Sequence, residues 1–203
     1  MIRWVVFDFG QVLVRFDPHA MCARYLDDEA DIAVMEQVLF DRLYWDKLDA
    51  GTITDEETVA LAKGRLPVHL RDKAGEIFFN WIYMLPEIDG MRALLEELKA
   101  NGVPLCLLSN ISRYFADHSD EIGILSYFDH CLFSAVCGMT KPHRAMFMHA
   151  CDVCACEPQE LLFVDDSPAN IQGATEAGLC GYRFDGNVGA LRDFLCEKGV
   201  LKA

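Results

Sequence analysis

No stretch of this chain approaches the roughly 18 uninterrupted apolar residues of a membrane-spanning helix, so a membrane is not an expected partner. The opening MIRWVVFDFG is interrupted by Asp8 and lacks a small-residue cleavage site, so it does not read as a signal peptide. Basic residues are scarce: 18 Lys and Arg stand against 32 Asp and Glu, a net charge of −14. A field of that sign repels nucleic acid and anionic lipid and argues against either as a main partner. Low-complexity tracts, internal repeats and flexible linkers are missing too. The nine cysteines lack the even count and spacing of a disulfide framework. Most lie inside apolar runs and read as the buried, reduced thiols of a cytoplasmic protein. One cluster, Cys151, Cys154 and Cys156 with His149 nearby, falls on an expected helix. A helix spreads such side chains around its circumference, so zinc is not expected there.

What is present is enough apolar material, 52% of 203 residues, for a sizeable core. The length suits one domain, or one domain with a modest insert. Short apolar runs at 4–7, 104–108, 130–133, 161–164 and 181–184 are bounded by turn residues and read as buried strands. Between them lie helical patterns. Residues 87–101 place Met91, Leu94, Leu95 and Leu98 on one stripe before Gly102, and 168–177 end at Gly178. This alternation implies an α/β fold, a doubly wound parallel sheet covered on both faces. From 17 to 85 the pattern is helical throughout, and Thr54 with Glu57 reads as a capping box. We therefore expect a helical cap domain at 17–85, inserted into an α/β core made of 1–16 and 86–203.

Ligands of open α/β sheets bind outside the carboxyl ends of the strands, so the residues standing there matter most. Asp8, Phe9, Gly10 and Gln11 follow the first strand, and Ser109 and Asn110 follow the second. Beyond the third, Lys141-Pro142 reads as a helix start, with Pro142 at its first position. The fourth leads into Asp165, Asp166, Ser167, Pro168, Ala169 and Asn170. A carboxylate, a hydroxyl, an ammonium and a carboxylate pair thus converge on one rim. Each has a task in phosphoryl transfer: a carboxylate attacks phosphorus, hard oxygens hold Mg2+, and a hydroxyl and an ammonium hold the equatorial oxygens. Taken singly, each also has a plainer role, Asp8 or the acidic pair as helix caps and Lys141 as a solvated surface group.

Four segments, VVFDFGQVLV (5–14), LLSN (107–110), TKP (140–142) and FVDDSPANI (163–171), occur in order at these strand ends. Together they resemble the motifs of the haloacid dehalogenase-like (HAD) hydrolase superfamily, and the helical insert resembles its small C1 cap. The resemblance implies Asp8 as nucleophile, with Asp8, the Gly10 carbonyl, Asp165 and Asp166 holding Mg2+. It implies Ser109 and Lys141 as catalytic phosphate-binding groups, helped by backbone amides near Phe9, Gly10 and Asn110.

One departure stands out. Most phosphatases of the superfamily carry a second Asp two residues after the nucleophile, where this chain has Gly10. DFGQV resembles a branch that includes α-glucose-1-phosphate phosphatase and the N-terminal domain of epoxide hydrolase, and it is also similar to true haloacid dehalogenases. The intact pair Asp165-Asp166 needs a cation and favours a phosphomonoesterase over dehalogenation. A degenerate phosphatase that only binds a phospholigand is the alternative from another class. Without the second Asp, water, Gln11 or His19 are the candidate substitutes. A leaving group that departs easily, such as an anomeric sugar hydroxyl, would make the loss tolerable. Trp45, Asp46 and Lys47, in WDKLDAGTIT, are candidates for specificity, and Arg15 and Arg113 for meeting an anion. Phe78, Phe79, Trp81, Ile82 and Tyr83 read as packing between cap and core. The expected partner is a small phosphorylated metabolite, and both monomer and homodimer stay open.

Overall fold

The sheet is built from five short apolar strands. In the computed structural model, which describes residues 1–202, these are β1 (Trp4–Phe7), β2 (Leu105–Ser109), β3 (His130–Phe133), β4 (Leu161–Asp165) and β5 (Cys180–Arg183). All pair in parallel, in the order β3-β2-β1-β4-β5. The doubly wound α/β architecture expected from the sequence is the one observed. β2 starts one residue later than expected because Pro104 has no N–H to give the ladder, although its carbonyl accepts from Val5 N–H at 3.2 Å. The chain builds outward from β1 first toward β3 and then toward β5, so the order reverses at β1. That reversal is where open sheets place their ligands.

Residues 17–85 carry α1 (Pro18–Ala23), α2 (Glu29–Leu39), α3 (Arg42–Asp49), α4 (Asp55–Arg65) and α5 (Arg71–Asn80). None of the described residues in this span lies in a strand. α4 opens on the expected capping box: Glu57 N–H donates to Thr54 Oγ1 at 3.1 Å, and Thr54 N–H to Glu57 Oε2 at 2.9 Å. These helices surround a core of their own that includes Met35, Leu39, Leu48, Ala62, Ile77 and Phe78.

The remaining helices are α6 (Met91–Ala100), α7 (Arg113–Asp117), α8 (Ser134–Cys137), α9 (Arg144–Val153), α10 (Pro168–Ala177) and α11 (Val188–Glu197). The strand period of two divides the core cleanly. Val5, Phe7, Leu105, Leu107 and Val164 face α6 and α11, whereas Val6, Cys106, Leu108 and Phe163 face α9 and α10. Leu94, Leu98, Leu191 and Leu195 are fully or almost fully buried on the first side, each contributing about 1.5–3 kcal/mol. Cys151 and Cys154 are buried on the second side with Cys156 at its margin, and all nine cysteines are free.

Two expected helix starts are corrected. The helix expected over 87–101 begins at Met91, because Glu87 and Ile88 stay extended: Glu87 bridges Val14, and Ile88 N–H donates to Leu13 O at 2.9 Å. Lys141-Pro142 is a turn rather than a helix start. His143 N–H closes it on Thr140 O at 3.0 Å, and α9 begins at Arg144. Of the apolar residues expected to pack cap on core, Phe78, Trp81 and Ile82 are buried. Tyr83 is instead exposed, its hydroxyl donating to Glu121 at 2.8 Å.

Candidate active site

The parallel register determines what meets at the rim. Phe7 lies opposite Leu107 on one side and Val164 on the other, so Asp8, just past β1, stands beside Asp165 at the end of β4, with Ser109 ending β2. Asp8 N–H still donates to Val164 O at 2.9 Å, which ties the turn to the strand beside it. Lys141 Nζ reaches in from its turn and stands 2.7 Å from Asp8 Oδ1 and 2.8 Å from Asp165 Oδ2.

Each member is held by its surroundings. The Asn110 side chain clasps the Lys141 backbone, Nδ2 donating to Lys141 O at 2.9 Å and Oδ1 accepting from Lys141 N–H at 2.8 Å. Asp165, wholly buried, accepts from Ser167 N–H at 2.8 Å and from Asn170 Nδ2 at 3.1 Å on both oxygens. α10 can lie this close to the Lys141 turn only because Gly173 has no side chain: a Cβ there would stand 2.5 Å from Pro142 O. Ser109 is buried at the end of β2 and lines the cavity.

Burial pushes the Asp8 carboxyl up to about 6, with Asp165 adding to the rise and Lys141 opposing it. Burial acts to lower the Lys141 ammonium, but Asp8 and Asp165 outweigh it and the group ends above its ordinary value. Burial, then the charge of Asp165, raises Asp166. One oxygen from each of Asp8, Asp165 and Asp166 lies within 4.8 Å of the others. Three hard carboxylates facing one ammonium leave two negative charges when all are ionised. That donor set fits a divalent cation.

Above this rim lies a cavity of about 430 Å³, lined from below by Asp8, Phe9, Gly10, Gln11, Ser109, Asn110 and Lys141. From above it is lined by Trp81 and by Arg42, Trp45 and Asp49 of α3. Arg42, Trp45 and Asp49 are i, i+3 and i+7, one face of a helix. Asp46 and Lys47 follow Trp45 directly, so they point elsewhere and lie outside the cavity lining, Asp46 pairing with Arg42 at 2.6 Å. His19 is also outside it, half-exposed between Glu29 at 3.6 Å and Glu36 at 3.4 Å. Arg15 faces Asp89, and Arg113 donates to Ala135 O. Gln11 lines the cavity, but its amide is engaged, donating to Phe16 O at 3.0 Å.

Asp49 and Arg42 are the charged lining residues that sequence reasoning missed. The helical spacing from Trp45 was the signal that could have found them. Burial pushes the Asp49 carboxyl up to about 7. Arg42 opposes the rise, Asp46 and Asp8 add to it, and Lys141 opposes it weakly.

A doubly wound sheet that gathers a carboxylate, a hydroxyl, an ammonium and an acidic pair at its switch point, beneath a helical layer, defines an open-sheet α/β hydrolase. The model of the haloacid dehalogenase-like hydrolase family matches residues 2–178, and the chain belongs to that family. The 6-phosphogluconate phosphatase of Escherichia coli (strain K12) is 29% identical over 185 residues, covering 88% of this chain and 80% of that protein. Flavin mononucleotide hydrolase 1 of Arabidopsis thaliana is 26% identical over 113 residues, which are 56% of this chain and 46% of that one, so the match spans less than half of that protein. The crystal structure of a dehalogenase superposes with a TM-score of 0.72 at 21% identity, covering 91% of this chain and 85% of that one. A likeness at that identity shows the fold alone.

Proposed function

We propose that this hydrolase is a Mg2+-dependent phosphomonoesterase of small phosphorylated metabolites that works through an aspartyl-phosphate on Asp8. The observation that carries the reading is Lys141 standing between Asp8 and Asp165, with Asp166 close enough to complete a cation site. Asp8, Asp165, Asp166 and the Gly10 carbonyl would hold the ion, which neutralises repulsion between a phosphate dianion and the attacking carboxylate. Asp8 is ionised at neutral pH despite its burial, as a nucleophile must be. It attacks phosphorus while Lys141, Ser109 and backbone N–H groups around Phe9, Gly10 and Asn110 hold the equatorial oxygens. Water then cleaves the acyl-phosphate and regenerates Asp8.

Residues 17–85 serve as a cap that excludes bulk water and selects the substrate, and 1–16 with 86–203 serve as the core. The separate apolar cluster of the helical layer supports this division. The acidic pair supports phosphate chemistry over dehalogenation, since with Asp8 it makes a cation site that a phosphate dianion needs and the departure of a halide does not. The E. coli relative, named a phosphatase of 6-phosphogluconate, supports a phosphorylated sugar derivative as substrate. Nine free thiols support a reducing, cytoplasmic setting.

The test is release of phosphate from an aryl phosphate with Mg2+, with EDTA, and by Asp8→Asn. Turnover that needs the metal and is lost in the variant is the expected result. Turnover that survives Asp8→Asn refutes the reading. Tight phosphate binding without turnover of any ester shows a binding module instead. Comparing glucose 1-phosphate with glucose 6-phosphate then tests whether an easily departing oxygen is required, and equal turnover shows that it is not.

A further inference from the structure

The proposed reaction leaves a proton unaccounted for. When the phosphorus–oxygen bond breaks, the electron pair goes to the leaving oxygen, which needs a proton unless it departs as a stable anion. Position 10 cannot supply one, and nothing else on the cavity floor takes its place. An added Cβ on Gly10 would meet no atom within 4 Å, so that spot is open. The Gln11 amide is engaged with Phe16, and His19 is outside the cavity lining.

The opposite wall carries a carboxyl. Asp49 is 8% exposed, lines the same cavity as Asp8, and sits on the helix face that also presents Arg42 and Trp45. Among the described residues, no hydrogen bond to its side chain contributes to its electrostatics. A carboxyl with no donor of its own that lines a cavity is free to meet a ligand there. Its position is also fixed. Two residues on, Gly51 has φ +67, and a Cβ there would stand 2.7 Å from Ala135 O, so the end of α3 is seated directly on the backbone of α8.

We propose that Asp49 is the general acid–base of this site, doing from the helical layer what position 10 does not do from the sheet. The assignment rests on the phosphomonoesterase reading. Asp8 attacks phosphorus and the bond to the ester oxygen breaks. That oxygen takes the proton of the Asp49 carboxyl, giving the alcohol, an aspartyl-phosphate on Asp8 and an Asp49 carboxylate. Water then attacks the same phosphorus and gives its proton to Asp49, and the Asp8 carboxylate departs, releasing inorganic phosphate. Both residues end as they began. The charged groups around Asp49 suit the role: Arg42 and Asp46 on its own helix, Asp8 from β1 and Lys141 from its turn. With burial they leave the group near 7, where it both gives and takes a proton at neutral pH. A substrate with an ordinary alcohol leaving group is then as acceptable as a sugar 1-phosphate.

The test is a series of aryl phosphates from phenyl to dinitrophenyl, hydrolysed by wild type, Asp49→Asn and Asp8→Asn. Loss of a general acid makes the rate depend more steeply on leaving-group acidity. Asp49→Asn should lose about 10²–10⁴-fold on phenyl phosphate and roughly tenfold or less on the dinitrophenyl ester. A loss by one common factor across the series shows a structural role and overturns the assignment, leaving the phosphatase reading intact. A wild type as inert as Asp8→Asn on every ester overturns both. A second readout needs neither metal nor turnover: carbon NMR titration of the carboxyl resonance that disappears in Asp49→Asn. A midpoint near 7 supports the role, and one in the ordinary carboxylate range overturns it.

Discussion

Replacing Asp49 by Asn should change stability in a way that depends on pH with a definite sign. Burial raises the folded-state carboxyl from 3.8 to about 7, so between those values the native protein binds a proton that the unfolded chain has released. Stability from this group is therefore undiminished below about pH 4 and falls as pH rises toward 7. At about 1.4 kcal/mol per pH unit the full loss is about 4 kcal/mol. Asn keeps the shape and does not titrate. Melting wild type and Asp49→Asn side by side in EDTA, from pH 4 to 8, should show nearly equal Tm at the acid end. The variant should gain progressively, by about 10 °C at pH 8 for a chain of this length. Carboxylates remote from Asp49 titrate alike in both proteins and cancel in the difference, whereas Asp8 and Asp46, which interact with it, modify the size of the gain but not its sign. A Tm difference that is flat across the range would show that Asp49 ionises like a surface carboxylate, and the reasoning about its burial would be wrong.

Three further outcomes follow from the geometry. Lys141→Met leaves Asp8 and Asp165 facing each other in a buried site, so the variant should lose about 3–5 kcal/mol in EDTA melts, and less at pH 5 than at pH 8 because Asp8 then takes up a proton. Gly51→Ala places a side chain at φ +67 and 2.7 Å from Ala135 O; chemical denaturation should show a loss of more than about 1 kcal/mol, and kcat should fall as α3 moves off α8. Saturating Mg2+ should raise the Tm, by about 2.7 kcal/mol of stabilisation at a hundred times Kd, and Asp166→Asn should remove most of that gain; an equal shift in the variant would place the ion elsewhere.

The strands and the rim were legible in the sequence because their signals are local. Each strand is a short apolar run, and the residue that ends it, Asp8, Ser109 or Asp165, is polar where the run stops. The capping box at Thr54 and the stop of α10 at Gly178 are equally local. What escaped depended on direction or on distant contacts. Asp46 and Lys47 drew attention through adjacency to Trp45, but neighbours along a helix face different ways, and the spacing of three and four leads to Arg42 and Asp49 instead. The start of α6 was misread because Glu87 and Ile88 are claimed by Leu13 and Val14, a pairing across more than seventy residues that no periodicity reports. The Lys141 turn was misread likewise: its shape is set by Asn110 and by the bare flank of α10 at Gly173.

The vacancy beside Gly10 has an evolutionary side. Two of the four glycine codons become aspartate codons by one base change, and a Cβ at position 10 would meet no atom within 4 Å. With Asp49 as the proposed proton donor, the helical layer and the sheet each carry part of the chemistry, so neither is complete without the other. Moving the donor to the floor would uncouple the two. A single mutational step would then bring nucleophile and proton donor onto one turn, without disturbing a strand or a helix.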